Sequence, residues 1–207
     1  IFFLILAGMF TGIIQATGKI ISLDLRGDAL SMRLNALGFF TNSKVGDSVA
    51  NNGVCLTIEN CTNDEATFCL IHQTVKNSAF SQAQVGDLVN LELPCTPQSL
   101  MGGHFVMGHV DHAVKVISRF ERETGIEVEL EIPNNLRCYI IQRGSVTLNG
   151  ISLTVAEKTE KGIIVAIIPE TLLKTNLAHW KIGSLVNIEV DMIGKYVENY
   201  LKEAKLA

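Results

Sequence analysis

The chain is short of charge, of basic excess, of paired cysteines and of long apolar runs, and each shortage excludes something. Charged residues make up 18% of the 207, against 47% hydrophobic. A disordered chain carries far more charge, so a packed core is expected. The formal net charge is −4, which argues against a basic surface for nucleic acid. The five cysteines (Cys55, Cys61, Cys69, Cys95 and Cys138) are odd in number and form no CxxC. That pattern reads as reduced thiols in a cytoplasmic protein, most of them buried as small hydrophobes. Residues 1–8, IFFLILAG, are apolar but too short for a membrane span of about 20 residues. They also lack the basic start of a signal peptide. Met9 is the expected natural start, with residues 1–8 an extension outside the native chain. The other reading of that run is an extra edge strand. There is no P-loop, no GxGxxG and no nucleophile elbow.

What the chain does have is a sequence that occurs twice. Asn52-Gly53-Val54-Cys55-Leu56-Thr57-Ile58 returns as Asn149-Gly150-Ile151-Ser152-Leu153-Thr154-Val155, 97 residues later. Ser48-Val49 returns as Ser145-Val146, and Thr74 as Thr171, at the same spacing. Gly86, Leu88-Val89-Asn90 and Glu92 return as Gly183, Leu185-Val186-Asn187 and Glu189. Identities that hold one register through separate segments mark an internal duplication. The expected organisation is residues 1–8 as the extension, 9–97 and 98–191 as two matched domains, and 192–207 as a helix.

The periodicity inside each copy is that of strands. Residues 89–93 and 186–190 alternate apolar and polar, and 126–132 (IEVELEI) alternate strictly. Residues 28–34 and 162–168 are further strand candidates. Short strands with frequent turn signals predict an all-β chain of barrels or sandwiches. Two barrels side by side account for the repeat, because a closed sheet leaves no exposed edge. Short helices are expected near 35–42, 75–82, 133–141 and 171–178. At the C-terminus Ile193, Val197, Tyr200, Ala204 and Ala207 step by four and three, a seam suited to self-association.

A duplication is its own control. Asn-Gly before a strand is first of all turn chemistry. Thr57, Thr154, Thr74 and Thr171 offer paired hydroxyls to a polar, uncharged ligand. Two differences stand out. Cys55 faces Ser152, a thiol against a hydroxyl of different acidity and nucleophilicity. Met9–Ile14 aligns with Phe105–Val110, one residue off the main spacing, which sets Ile13 against His109. An ionisable group therefore appears in one copy only, of the type that carries protons near neutral pH. His104, His109 and His112 cluster with Asp111, but their spacings put His104 and His109 on opposite faces of a strand. No further ligand follows at a metal-site spacing, so a metal is not expected.

Taken together, MFTGII (9–14), NGVCLTI (52–58), GGHFVMGHVD (102–111), NGISLTV (149–155) and IIPETL (167–172) resemble the riboflavin synthase family of the trimeric alpha-chain type. The resemblance covers residue 9 to about 205. It implies two six-stranded Greek-key barrels in tandem, with a C-terminal helix that helps form a homotrimer. The implied site lies between the first barrel of one subunit and the second barrel of its neighbour. The implied reaction is a dismutation of two molecules of 6,7-dimethyl-8-ribityllumazine, without cofactor or metal. It yields riboflavin and 5-amino-6-ribitylamino-pyrimidinedione by four-carbon transfer. Neither nucleic acid nor membrane is an expected partner.

Carried onto this sequence, the family's substrate contacts fall on Gly12, Ile13 and Ile14, on Cys55, Leu56 and Thr57, and on Cys69, Leu70 and Thr74. They continue with Gly108, His109 and Val110, with Arg143, and with Ser152, Leu153 and Thr154. The last group is Ile167, Ile168, Pro169, Thr171 and Leu172, while Ser48 and Asp191 map near the chemistry. Cys55, His109 and Ser152 are the expected catalytic residues. Some members carry Lys where this chain has Arg143, and some carry Asp where it has Asn149. The rival reading is a non-catalytic lumazine- or flavin-binding protein of the fluorescent type. A pure binder needs one good pocket, whereas here both copies keep their Thr and Asn-Gly positions.

Overall fold

The computed structural model describes residues 8–204. Of the 1–8 run, read as an extension or an edge strand, residues 1–7 lie outside the described residues, as does the last seam position, Ala207. Two closed six-stranded barrels fill most of the chain. The first holds β1 (Ala16–Arg26), β2 (Ala29–Asn35), β3 (Ser48–Asn51), β4 (Val54–Cys61), β5 (Glu65–Leu70) and β6 (Leu88–Glu92). A short helix α1 (His72–Asn77) lies between β5 and β6. The second holds β7 (His112–Arg122), β8 (Gly125–Glu131), β9 (Ser145–Leu148), β10 (Ile151–Lys158), β11 (Gly162–Ile167) and β12 (Leu185–Val190), with α2 (Pro169–Lys174) in the matching place. The first barrel is ordered β1-β2-β5-β4-β3-β6, and the second repeats that order. Helix α3 (Met192–Glu203) follows, capped by Asp191, whose Oδ1 accepts the Ile193 N–H at 2.9 Å.

Alternation decides which residues enter each core. In β8, Ile126, Val128 and Leu130 are buried while Glu127 and Glu129 are not, as period-2 patterning requires. The first core is built on Met32, Leu34, Phe40, Phe68 and Leu91, and the second on Val128, Leu130, Val146, Val165 and Ile188. Each barrel has its own core, so neither depends on the other for burial of its strands.

One expected helix is absent. Residues 37–42 form consecutive turns. Gly38 takes φ +68°, which interrupts helical geometry, and its N–H donates to Asp64 Oδ1 at 2.7 Å. The matching stretch, Asn134–Tyr139, is a 3-10 helix. The other two expected stretches start too late, each overlapping only the later part of α1 or α2 and running into the 3-10 turn that follows.

The barrels meet at their Asn-Gly turns. Asn52-Gly53 and Asn149-Gly150 are two-residue hairpin loops with φ of 46° and 77°, and of 45° and 80°. Both central residues at positive φ define the turn that matches strand twist. A Cβ on Gly53 would stand 2.7 Å from Gly150 N, and a Cβ on Gly150 would stand 2.8 Å from Gly53 N. Around this contact runs a ladder of asparagines. Asn90 donates through Nδ2 to the Asn149 carbonyl at 2.9 Å, and Asn187 donates through Nδ2 to the Asn52 carbonyl at 2.9 Å. Asn90 Oδ1 accepts the Asn176 N–H at 2.7 Å, and Asn187 Oδ1 accepts the Ala79 N–H at 2.6 Å. The match is broken at one point. Asn176 replaces Ala79, and its Nδ2 adds bonds to Asn52 Oδ1 and the Leu88 carbonyl, both at 2.9 Å.

The seam generates a test. Gly46→Ala places a side chain at φ +95° with open space around it, and should lose about 1 kcal/mol from left-handed strain alone. Gly53→Ala adds a backbone clash across the seam and should cost roughly 2 kcal/mol more. Urea unfolding midpoints of the two variants check the difference.

Candidate functional site

Segments ahead of each barrel cross over to the other one. Phe10 and Val106 pair as an antiparallel bridge and are fully buried with Ala50. From that pair, residues 11–14 run toward the second barrel and 107–110 toward the first. The Gly12 carbonyl accepts the Ser152 N–H at 2.8 Å, and the Gly108 carbonyl accepts the Cys55 N–H at 2.9 Å. Gly12 has φ +76° and Gly108 has φ +77°. A Cβ there would stand 2.7 Å from Ser152 Cβ and 2.5 Å from Cys55 Cβ. Only glycine allows this approach. Each site thus has a wall from one repeat and a roof from the other.

The first site is a pocket of about 250 Å³ lined by Cys55, Thr74, Gly108, His109 and Val110, with Ile71, Gln73 and Asn77 at its edge. Cys55 and Thr57 alternate onto one face of β4, and Ser48 lies across from Thr57 on β3. Burial pushes the Cys55 thiol above its ordinary value; the Ser48 hydroxyl opposes that rise, and the Glu189 carboxylate adds to it. Cys55 is therefore a thiol at neutral pH.

The second site centres on Ser152. Its hydroxyl lies 2.7 Å from His104 Nδ1, and His104 Nε2 lies 3.1 Å from Thr147 Oγ1. Burial lowers the His104 pKa, and the charge of Asp191 opposes the shift. A neutral imidazole with both nitrogens on hydroxyls holds Ser152 in a fixed orientation. Ser152 and Thr154 share a face of β10, and Thr154 lies across from Ser145 on β9. Ile13 is 48% exposed over this site, where the first site has His109.

The remaining sequence candidates divide by depth. Leu56, Leu70 and Ile167 are buried in the barrel cores and Leu153 packs against one, so a ligand outside the barrel meets their backbone. Cys69 and Thr74, and Thr171 with Leu172, are half-buried. Ile168 and Pro169 cap and open α2, with Ile168 exposed. Arg143 is exposed on the turn before β9 with φ +66°. His104 and His109 belong to opposite sites, and His112 starts β7. Among the described residues no group of three or more His, Cys, Asp or Glu is placed for a metal ion, and no helix is long and apolar enough to cross a membrane.

Sequence reasoning weighed His104 only as a metal ligand and not as a partner of Ser152. Its contact with Ser152 spans 48 positions, a distance that no local pattern reports. It also read Glu92 and Glu189 as strand residues, although both recur at the repeat spacing and are buried.

Two matched barrels, each with a segment of the other repeat laid across it, define a tandem duplicated-barrel protein. The model of the lumazine binding domain matches the chain twice, over residues 11–94 and 107–191. The riboflavin synthase of Photobacterium phosphoreum is 37% identical over 194 residues, 93% of this chain and 89% of that protein. That of Bacillus subtilis is 36% identical over 196 residues, 95% and 91%. That of Mycobacterium tuberculosis is 34% identical over 200 residues, 95% and 100%. The crystal structure of LumP complexed with 6,7-dimethyl-8-(1'-D-ribityl) lumazine aligns at TM-score 0.79 and 26% identity, covering 87% of this chain and 98% of that one. LumP complexed with riboflavin aligns at 0.79 and 28%, covering 88% and 99%. This chain belongs to the riboflavin synthase family.

The thiol state of Cys55 is directly testable. A pKa held above the ordinary 9.0 means less thiolate at any given pH below it. Iodoacetamide at mildly alkaline pH should label exposed Cys138 well before Cys55. The Cys55 rate should still be rising with pH above the ordinary 9.0, read by peptide mass spectrometry.

Proposed function

We propose that the protein is a riboflavin synthase. It converts two molecules of 6,7-dimethyl-8-ribityllumazine into riboflavin and 5-amino-6-ribitylamino-pyrimidinedione. One observation carries this reading. The two pockets keep the same backbone frame but differ at their reactive positions, Cys55 against Ser152 and His109 against Ile13. A dismutation uses one molecule as four-carbon donor and a second as acceptor. Matched pockets with diverged chemistry suit two identical substrates in unlike roles.

The binding surface is the set read from the sequence, Gly12 to Ile14, Ser48, Cys55 to Thr57, Cys69 to Thr74, Gly108 to Val110, Arg143, Ser152 to Thr154, Ile167 to Leu172 and Asp191. Most of the rate comes from stacking two flat rings in register, which turns a bimolecular step into a local one. His109 removes a proton from the acidic 7-methyl group. Cys55 or Ser152 adds to the ring carbon, or directs a water there. His104 joins the second site as a group that sequence did not supply. With Nε2 protonated and donating to Thr147, Nδ1 accepts from the Ser152 hydroxyl and favours its attack.

The assembly in this reading is a homotrimer in the cytoplasm. Helix α3 supports self-association, since Ile193, Tyr196, Val197 and Tyr200 are exposed and no residue of the helix is buried. A neighbour then brings its second barrel to the first barrel of this chain. Removal of residues 192–207 should give smaller species by light scattering, with the β signal retained.

Incubation with the lumazine alone tests the activity. Riboflavin should form with no cofactor, at two substrates per product. His109→Gln should lower kcat about 100-fold, and Cys55→Ser should lower kcat more than it raises KM. The double variant should lose less than the product of the two effects if the residues act as a unit. Tight lumazine binding without turnover would instead establish the binding-protein reading, which the likeness to LumP favours.

A further inference from the structure

Two buried carboxylates take no part in the chemistry described so far. Glu92 ends β6 and is 2% exposed, and Glu189 lies in β12 at 4%. Neither forms a salt bridge among the described residues. Instead each gathers backbone N–H groups from its own crossover segment. Glu189 Oε1 accepts from Met107 N at 2.7 Å, and its Oε2 accepts from Gly108 N at 3.0 Å and His109 N at 3.1 Å. Glu92 Oε1 accepts from Thr11 N and Thr11 Oγ1, both at 2.7 Å, and its Oε2 accepts from Gly12 N at 3.0 Å.

One substitution between the copies explains the difference in wiring. Thr11 has a hydroxyl that takes the Ile13 N–H at 3.2 Å and relays it to Glu92. Met107 has none, so the His109 N–H goes straight to Glu189. The backbone of the histidine over the first pocket is thus tied directly to a carboxylate of the second barrel.

We propose that Glu92 and Glu189 are positioning residues, each fixing the roof of the pocket that lies in the opposite barrel. Glu189 sets Gly108 and His109 over Cys55, and Glu92 sets Gly12 and Ile13 over Ser152. This rests on the riboflavin synthase reading for the nature of the ligand. An uncharged pair would serve barrel stability as well. Burial pushes both carboxyls above the ordinary carboxylate range, opposed at Glu92 by the Thr11 hydroxyl and backbone N–H groups, and at Glu189 by backbone N–H groups and the Lys195 charge, with Asp111 adding to the rise. Buried charge without a direct ion pair is costly, and an apolar replacement is often no less stable. What an apolar residue cannot do is hold successive N–H groups at one point, and that is what places the roof.

The test uses the full chain with riboflavin as probe. Binding is followed by flavin fluorescence, and the first pocket separately by protection of Cys55 from iodoacetamide. In Glu189→Gln one acceptor oxygen becomes an NH₂ facing N–H groups, so the roof over Cys55 should lift. Riboflavin should then protect Cys55 about tenfold less well, while the binding event that does not protect Cys55 keeps its affinity. Glu92→Gln should do the reverse. Thr11→Val removes only the relay hydroxyl, so it is the milder variant and keeps the test open if Glu92→Gln fails to fold. Glu189→Asp, shorter but still charged, serves the same purpose and should lose Cys55 protection too. Folded Glu189 variants that protect Cys55 like the parent would overturn the proposal. So would Glu92 and Glu189 variants that weaken the same pocket. If the parent itself shows no protection by riboflavin, the ligand reading falls together with the proposal, a result distinct from retained protection in the variants.

Discussion

The close approach of two hairpin turns governs this molecule. Gly53 and Gly150 bring backbone to backbone without side chains between them, and no other residue type permits that at positive φ. The distance fixes how near the barrels sit. That in turn fixes whether a strand leaving one barrel can reach the wall of the other. The asparagine ladder holds the register of the contact. The four matched rungs each join a side-chain amide of one repeat to backbone of the other, so sliding the barrels by one residue would leave several buried polar groups unpartnered. The seam is a site-forming device as much as an interface.

Much of this was legible in the sequence. The repeat gave two domains, the alternation in β8 and β12 gave strands, and short strands with turn signals gave barrels. Cys55, Ser152 and His109 were singled out because a duplication exposes its own differences. Three things were hidden, each for a physical reason. Gly38 and Asp64 convert an expected helix into turns through a bond between residues 26 positions apart, which local propensity does not weigh. The partnership of His104 with Ser152 depends on the crossover, which no local pattern encodes. The asparagines looked like turn and strand residues because their amides act on the other barrel. A tertiary hydrogen bond is invisible where the sequence shows only one end of it.

The two sites also differ in how they hold their reactive groups. Cys55 sits under a roof tied to a carboxylate that disfavours its thiolate. Ser152 sits against an imidazole that burial keeps neutral. The thiol is thus held protonated, while the hydroxyl has a neutral base beside it, so the two groups differ in resting nucleophilicity.

The crossed roofs bear on how such a chain arose. Cut between the barrels, each half would keep a sound core, yet its pocket would stand open, because its cover belongs to the other half. A lone ancestral copy could have closed its pocket only by exchanging that arm with a twin, as a symmetric dimer. Fusing the two genes would have cost nothing in geometry. It would also have freed the twins to differ, so that a thiol and a hydroxyl, or an imidazole and an isoleucine, could come to occupy positions that symmetry had kept identical.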